Sequence, residues 1–173
     1  KHIYGTDETR LEEAVGQLLR ERKMHVTLAE SCTGGLVAKR LTDIPGSSDY
    51  VGAGFVTYSN EAKQKFLGVP EALLAEHGAV SEPVVRAMAS GALERSGADV
   101  ALAISGIAGP DGGTPEKPVG TVWFGLAGKG SSGLPAGVWA FVQYMQGSRE
   151  DIRERSSTVA LAALRRYLLG QPV

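Results

Sequence analysis

Twice in this chain an apolar, strand-like run breaks straight into glycine. The run from His25 to Ala29 leads through Glu30 and Ser31 to Gly34 and Gly35, and the run from Asp99 to Ser105 opens into a segment with Gly106, Gly109, Gly112 and Gly113. Behind the first break, Leu36 to Leu41 is apolar enough to form a helix packed back on the strand. Strand, tight turn and helix make the repeating unit of α/β sheets, and ligands on such sheets lie beyond the strand ends, where glycine turns meet helix N-termini. Glycine supplies 23 of the 173 residues, about twice its usual share. Many backbone positions must therefore turn sharply or pass close to another surface.

The remaining pattern extends this unit in both directions. Leu11, Ala14, Val15, Leu18 and Leu19 recur at helical spacing, and Thr9 with Glu12 resembles a capping box, so residues 9–22 read as an amphipathic helix. Residues 51–58 (VGAGFVTY) read as a buried strand whose glycines pack closely on a neighbour. Asn60 caps a short helix ending at Gly68, and Pro70 starts another that stops at Gly78. Ser81 and Pro83 open a longer helix with Val84, Val85, Met88, Ala92 and Leu93 on one side. Asp99 to Ser105, Val119 to Ala127 and Ala136 to Tyr144 form three strands with no room for crossover helices, so they are antiparallel in part; the Gly/Ser stretch 128–137 is a hairpin loop. Ser148 caps a final helix whose inward stripe is Ile152, Ser156, Val159, Ala160, Ala163, Leu164 and Tyr167. Early β-α alternation followed by a late run of strands predicts a three-layer α/β/α domain with a mixed sheet.

Charge and length exclude several functions. Lys and Arg total 18 against 19 Asp and Glu, a net charge of -1, without the basic excess that holds nucleic acid. No run approaches the ~18 to 20 apolar residues of a bilayer span. With 43% hydrophobic and 21% charged residues, a soluble, cytoplasmic domain is expected. A single cysteine, Cys32, rules out an internal disulfide and a Cys-rich metal site. The carboxylates show no metal-ligand spacing and no Cys/His cluster exists, so metal-independent chemistry without a cofactor is expected.

Ser31 stands on the first glycine turn with helix amides just behind it. A serine hydroxyl needs an adjacent base to act as a nucleophile, and the amides of Thr33, Gly34 and Gly35 would stabilise an oxyanion. The same residue types also serve as plain helix caps. Cys32 is a rival nucleophile, or a small buried hydrophobe. The three histidines give no persuasive Ser-His-Asp order: His2 is near the terminus, His25 starts a strand and His77 ends a helix. A neutral lysine can replace histidine. In the helix opened by Asn60, an advance of about 100° per residue puts Lys63 beside Phe66 and Leu67 on the inward side and turns Lys65 away. Lys63 also lies in the first turn, where the macrodipole disfavours an ammonium. A solvated surface lysine is the alternative. Tyr58 ends the preceding strand, where it either orients the pair or packs. The second glycine segment, from Ser105, lacks the Gly-Lys-Ser/Thr ending of a P-loop and the dinucleotide fingerprint; it shapes a loop against a small ligand or is simply a turn. Arg149, in the first turn of the last helix, and the amides there suit a phosphate, or it is a surface arginine.

Five strings in order, 28–35 (LAESCTGG), 54–63 (GFVTYSNEAK), 77–82 (HGAVSE), 105–113 (SGIAGPDGG) and 117–122 (KPVGTV), closely resemble the CinA C-terminal domain family, with the match running from about residue 9 to 168. The resemblance implies an anticodon-binding-domain-like α/β/α fold that pairs as a homodimer. It implies hydrolysis of nicotinamide mononucleotide to nicotinate mononucleotide and ammonia, in pyridine-nucleotide recycling. It implies a Ser31–Lys63 dyad, Tyr58 in the site, and a lining that includes Ser105, Gly106 and Gly109. Arg149 matches the arginine of a Gly-Asp-Arg motif that here reads Gly147-Ser148-Arg149, which removes the acid beside it. Residues 1–8 look like a linker following a molybdopterin-cofactor-biosynthesis-like N-terminal domain, with 9–173 as the deamidase domain. Two rivals stand beside this reading: a non-catalytic module of competence or DNA-damage responses, and an amidase of another small amide.

Overall fold

The computed structural model describes residues 9–173; the expected linker 1–8, with His2, lies outside the described residues. Within them the chain runs α1 (Leu11–Arg22), β1 (Val26–Glu30), α2 (Leu36–Thr42), a 3-10 turn (Ser47–Asp49), β2 (Val51–Val56), α3 (Asn60–Leu67), α4 (Glu71–His77), α5 (Glu82–Ser96), β3 (Val100–Gly106), β4 (Thr121–Lys129), β5 (Ala136–Tyr144) and α6 (Arg149–Leu168). One five-stranded sheet has the order β2-β1-β3-β4-β5. Strand β1 is parallel to β2 and β3, while β3, β4 and β5 are antiparallel. Helices α1, α2 and α6 cover one face, and α5, carrying α3 and α4, covers the other. This is the mixed, three-layer α/β/α architecture the sequence predicts.

Strand register decides where the site forms. Glu30 lies opposite Val56 on β2 and opposite Ile104 on β3. Ser31 and Thr57, just past their strands, and Ser105, near the end of β3, therefore lie side by side at the carboxyl ends of three parallel strands. Three loops far apart in sequence converge there.

The two faces of the sheet are packed differently, and β3 shows how. Its Val100, Leu102 and Ile104 join the cluster beneath α1, α2 and α6, whereas Ala101 and Ala103 join the cluster beneath α5. Period-two alternation of large and small side chains thus lets α5 ride close to the sheet. A methyl group on Gly125 of β4 would meet the Val85 carbonyl of α5 at 2.7 Å. On the opposite side of α5, Gly91 lies directly against the Leu67 carbonyl at the end of α3, so a glycine sets how closely the helix bearing Lys63 docks.

Several local expectations are corrected. Thr9 and Glu12 do not form a capping box. The main-chain N–H of Arg10 donates to Glu13 (3.1 Å) instead, and Glu12 accepts from Arg40 at 2.9 Å. Arg40 also donates to Ser157 and Thr158 of α6, a partly buried junction of three helices. The cap of α3 is Ser59, whose hydroxyl accepts from the Ala62 N–H, and Asn60 is the first helical residue. Strand β2 is an exposed edge rather than a buried strand: Val56 is 55% exposed, and nothing lies within 4 Å of a methyl placed on Gly52. With β1 on one side only, its glycines are not tightly packed: a methyl on Gly54 would meet Ala38 and Leu28 only at an ordinary contact of 3.9 Å.

Gly91→Ala tests the docking of α3. In an open helix this change stabilises by up to about 1 kcal/mol, but here the added carbon overlaps backbone that cannot rotate away, and overpacking costs ~1 to 3 kcal/mol. A lower thermal midpoint is expected by calorimetry, and an unchanged or higher one would show that α3 is free to shift.

Candidate active site

Lys63 is the most informative side chain in the structure. It is 1% exposed, although lysine is almost never fully buried without partners. Its Nζ lies 3.2 Å from Ser31 Oγ, 2.9 Å from the Thr57 carbonyl and 3.4 Å from the Tyr58 carbonyl. Burial pushes its pKa below the ordinary 10.5, because a desolvated ammonium is disfavoured. A Cys32 thiolate would pull the other way, but burial drives that thiol up to about 11, so it is uncharged near neutrality. The two carbonyls accept N–H bonds from the amine, and its third neighbour is the Ser31 hydroxyl.

The helical-face reading of Lys63 therefore holds, though one neighbour was misassigned. Leu67 is buried with it, whereas Phe66 is 48% exposed and lies under the exposed Lys65 ammonium.

The turn that presents Ser31 is built around Glu30. This carboxylate is 1% exposed and accepts from the main-chain N–H groups of Gly35 (3.1 Å), Val37 (3.1 Å) and Ala38 (2.8 Å) at the start of α2. Three N–H donors and the positive end of the helix compensate the buried charge. Gly34 and Gly35 have φ of 60° and 97°, values glycine reaches without strain. The Gly34 N–H donates to the Ser31 carbonyl at 3.0 Å. The expected oxyanion donors are thereby corrected: the Gly34 and Gly35 amides are already occupied, and Thr33 is fully buried, main chain included. The Cys32 N–H is directed at its own thiol.

Beyond Ser31 opens a cleft of about 220 Å³, lined by Ser31, Cys32, Tyr58, Asn60, Lys63, Ala79, Val80, Ser105, Gly106, Ala108 and Arg149. Of the residues singled out from the sequence, Ser31, Lys63, Tyr58, Ser105, Gly106 and Arg149 face it, and Thr33, Gly34 and Gly35 do not. Gly109 contributes its carbonyl, which accepts from Arg149 at 2.7 Å. Arg149 also donates to the Tyr58 hydroxyl at 2.8 Å, so guanidinium, phenol and glycine loop together form one rim. Ser148 caps α6, accepting from the Asp151 N–H. With Ser148 so engaged, the Arg149 guanidinium has two partners from other loops.

Ser105 acts more as a brace than as a ligand. It is buried and its hydroxyl donates to the Ala79 carbonyl at 2.8 Å, while Lys117 holds the His77 carbonyl at 2.6 Å. Both fix the 77–81 segment on the cleft wall.

Glu30 and Arg153 were missed from sequence. Arg153 donates to the Cys32 and Thr33 carbonyls at 3.1 and 3.0 Å. Signals for both exist: an acid between an apolar strand and a glycine turn, and a second arginine one helical turn after Arg149. Among the described residues no group of three or more His, Cys, Asp or Glu could hold a metal ion, and no helix is long and apolar enough to cross a membrane.

A family model of the CinA C-terminal domain matches residues 8–168. The chain belongs to this family. It is 66% identical over 173 positions to a protein of Symbiobacterium thermophilum named as competence-damage inducible, covering 98% of this chain and 41% of that one. It is 55% identical over 166 positions to a CinA-like protein of Mycolicibacterium paratuberculosis, covering 96% and 38%. The chain thus spans about two fifths of the length of these relatives. Among solved structures, a CinA superfamily protein of Klebsiella pneumoniae superposes with a TM-score of 0.85 at 38% identity, covering 92% of this chain and 96% of that one. One from Escherichia coli gives 0.83 at 37% identity, covering 98% and 95%. The α/β fold is that of the CinA superfamily.

Burial of Lys63 has a measurable linkage. The unfolded chain holds this proton up to about pH 10.5 while the folded chain releases it earlier, so the unfolded state binds more protons between the two values. Stability contributed at this site rises with pH across that window. Lys63→Met should raise the thermal midpoint, by on the order of 1 kcal/mol, most at neutral pH and progressively less toward pH 10.5. A gain independent of pH would mean that Lys63 keeps its ordinary affinity for protons.

Proposed function

We propose that this domain is a serine amidohydrolase that converts nicotinamide mononucleotide to nicotinate mononucleotide and ammonia. The observation that carries the reading is the buried Lys63 amine 3.2 Å from the Ser31 hydroxyl, at the end of a cleft with room for a carboxamide. Its substrate is the one implied by family resemblance, and the cleft chemistry is compatible with it.

Neutral Lys63 takes the Ser31 proton as Oγ attacks the amide carbon, forming an Oγ–C bond. The oxygen gathers negative charge, which the Lys63 ammonium formed in the same step stabilises electrostatically. The Lys63 ammonium returns its proton to the amide nitrogen, which leaves as ammonia when the C–N bond breaks. Water then attacks the acyl-enzyme, Lys63 takes up its proton, and the Ser31 hydroxyl is restored as the acid departs. Arg149 has five N–H donors, two of them used by Gly109 and Tyr58. The remaining donors at the cleft rim suit the substrate phosphate.

Ser31→Ala and Lys63→Ala should each lower ammonia release from nicotinamide mononucleotide by at least about 1,000-fold without shifting the circular-dichroism spectrum. Arg149→Ala should raise KM for the mononucleotide by roughly 10-fold or more and leave nicotinamide riboside, which has no phosphate, unaffected. Full activity in either dyad variant removes the mechanism. A non-catalytic module of the kind the relatives' names evoke releases no ammonia from either compound, and an amidase of different specificity turns over another amide.

A further inference from the structure

The substrate oxygen finds no donor on the main chain of the Ser31 turn. The Gly34 and Gly35 amides are engaged, the Cys32 N–H is directed at its own thiol, and Thr33 is buried. Lys63 meets the oxygen through its charge, because its polar neighbours are already the Ser31 hydroxyl and the carbonyls of Thr57 and Tyr58. An oxygen that gains negative charge away from bulk water is stabilised most by hydrogen-bond donors aimed at it. Here those donors must be side chains that line the cleft.

Besides the Ser31–Lys63 pair, four side chains bearing oxygen or nitrogen face that space: Tyr58, Asn60, Ser105 and Arg149. Three of them are committed. The Ser105 hydroxyl donates to the Ala79 carbonyl, and Arg149 spans the Gly109 carbonyl and the Tyr58 hydroxyl at the rim. The Asn60 carboxamide has no partner among the described residues.

The position of Asn60 in α3 accounts for that freedom. Asparagine at a helix start ordinarily caps it, but Ser59 performs the capping and Asn60 is the first helical residue. Asparagine inside a helix is a weak helix former, so this side chain does little for α3 itself. Residues three apart on a helix share a face, with Cβ atoms about 5 to 6 Å apart. Asn60 therefore stands beside Lys63, and the cleft that opens on Ser31 opens on both.

We propose that Asn60 is a catalytic residue whose Nδ2 donates to the carboxamide oxygen of the substrate, a bond that strengthens as that oxygen becomes an oxyanion. A side-chain amide carries two N–H donors and no charge, so it serves the oxygen without changing the charge beside Lys63. The assignment rests on the reading of Ser31 as the nucleophile, and not on which amide is the substrate.

Two rates test it in wild type, Asn60→Ala and Asn60→Asp. One is ammonia release from nicotinamide mononucleotide, and the other is modification of Ser31 by a fluorophosphonate, which places a phosphoryl oxygen where the oxyanion forms. Asn60→Ala should lower kcat and the labelling rate together by roughly 100-fold, with KM within about threefold of wild type and the pH profile unmoved along its axis. Asn60→Asp keeps the shape, loses the N–H donors and brings negative charge toward the oxygen, so it should be at least as slow. Its thermal midpoint should equal or exceed that of wild type, because an acid in the first turn suits the helix. A role confined to the helix start predicts the opposite order, with Asn60→Asp as active as wild type, and that result overturns the assignment. An Asn60→Ala profile displaced along the pH axis does so too, since the effect would then lie on the Lys63 proton, as do equal labelling rates in all three proteins. Wild-type labelling without turnover of the mononucleotide rejects that substrate while the labelling ratios still decide Asn60. A wild type that shows neither reaction removes the Ser31 nucleophile and the assignment with it.

Discussion

Everything at the cleft depends on removing one amine from water. An ammonium cannot be desolvated cheaply, and a neutral amine can be buried only where its own N–H bonds find acceptors. Here the acceptors are the carbonyls of Thr57 and Tyr58, released from sheet pairing because β2 has just ended. End of strand, helical turn and buried lysine are thus one local solution, and Ser31 enters it because β1 and β2 end in register. The same shelter that lowers the Lys63 proton affinity raises that of Cys32, so one buried neighbourhood favours serine with lysine over a thiolate.

Opposite charges frame the Ser31 turn from two directions. Glu30 gathers the amides at the start of α2, and Arg153 gathers carbonyls from the preceding turn. Each occupies main-chain groups that a tight turn leaves unpaired. What remains free is correspondingly small, and it lies next to Ser31.

Much of this was legible in the sequence because it is local. Period-two runs, glycine breaks and the spacing of Lys63 to Leu67 need only a few residues of context, and they place the sheet, the turn and the buried lysine. The failures are failures of context. The glycine-bearing run at 51–56 has strand character, but nothing in its own residues says whether a second neighbour pairs with it, and none does. Gly34 and Gly35 look like free donors until the Ser31 carbonyl takes the first and the Glu30 carboxylate, folded back over the helix start, takes the second. Arg153 reaches its partners from over a hundred residues away. Glu12 fits a cap by spacing yet is drawn to Arg40 across a helix interface. Short-range pattern identifies the groups, and long-range hydrogen bonding determines which of them are left to do chemistry.

The close seating of α5 on the alanine face of β3 carries a consequence for the Ser31–Lys63 pair. Lys63 is referenced to the sheet through Gly91 and α5, Ser31 through β1, and the turn bearing Ser31 through α6 at the opposite face. No single hairpin or βα unit contains all three references. A chain that has opened along any one of these layers therefore returns Lys63 to water and parts it from Ser31, and the pairing of the two side chains is a property of the completed tertiary structure.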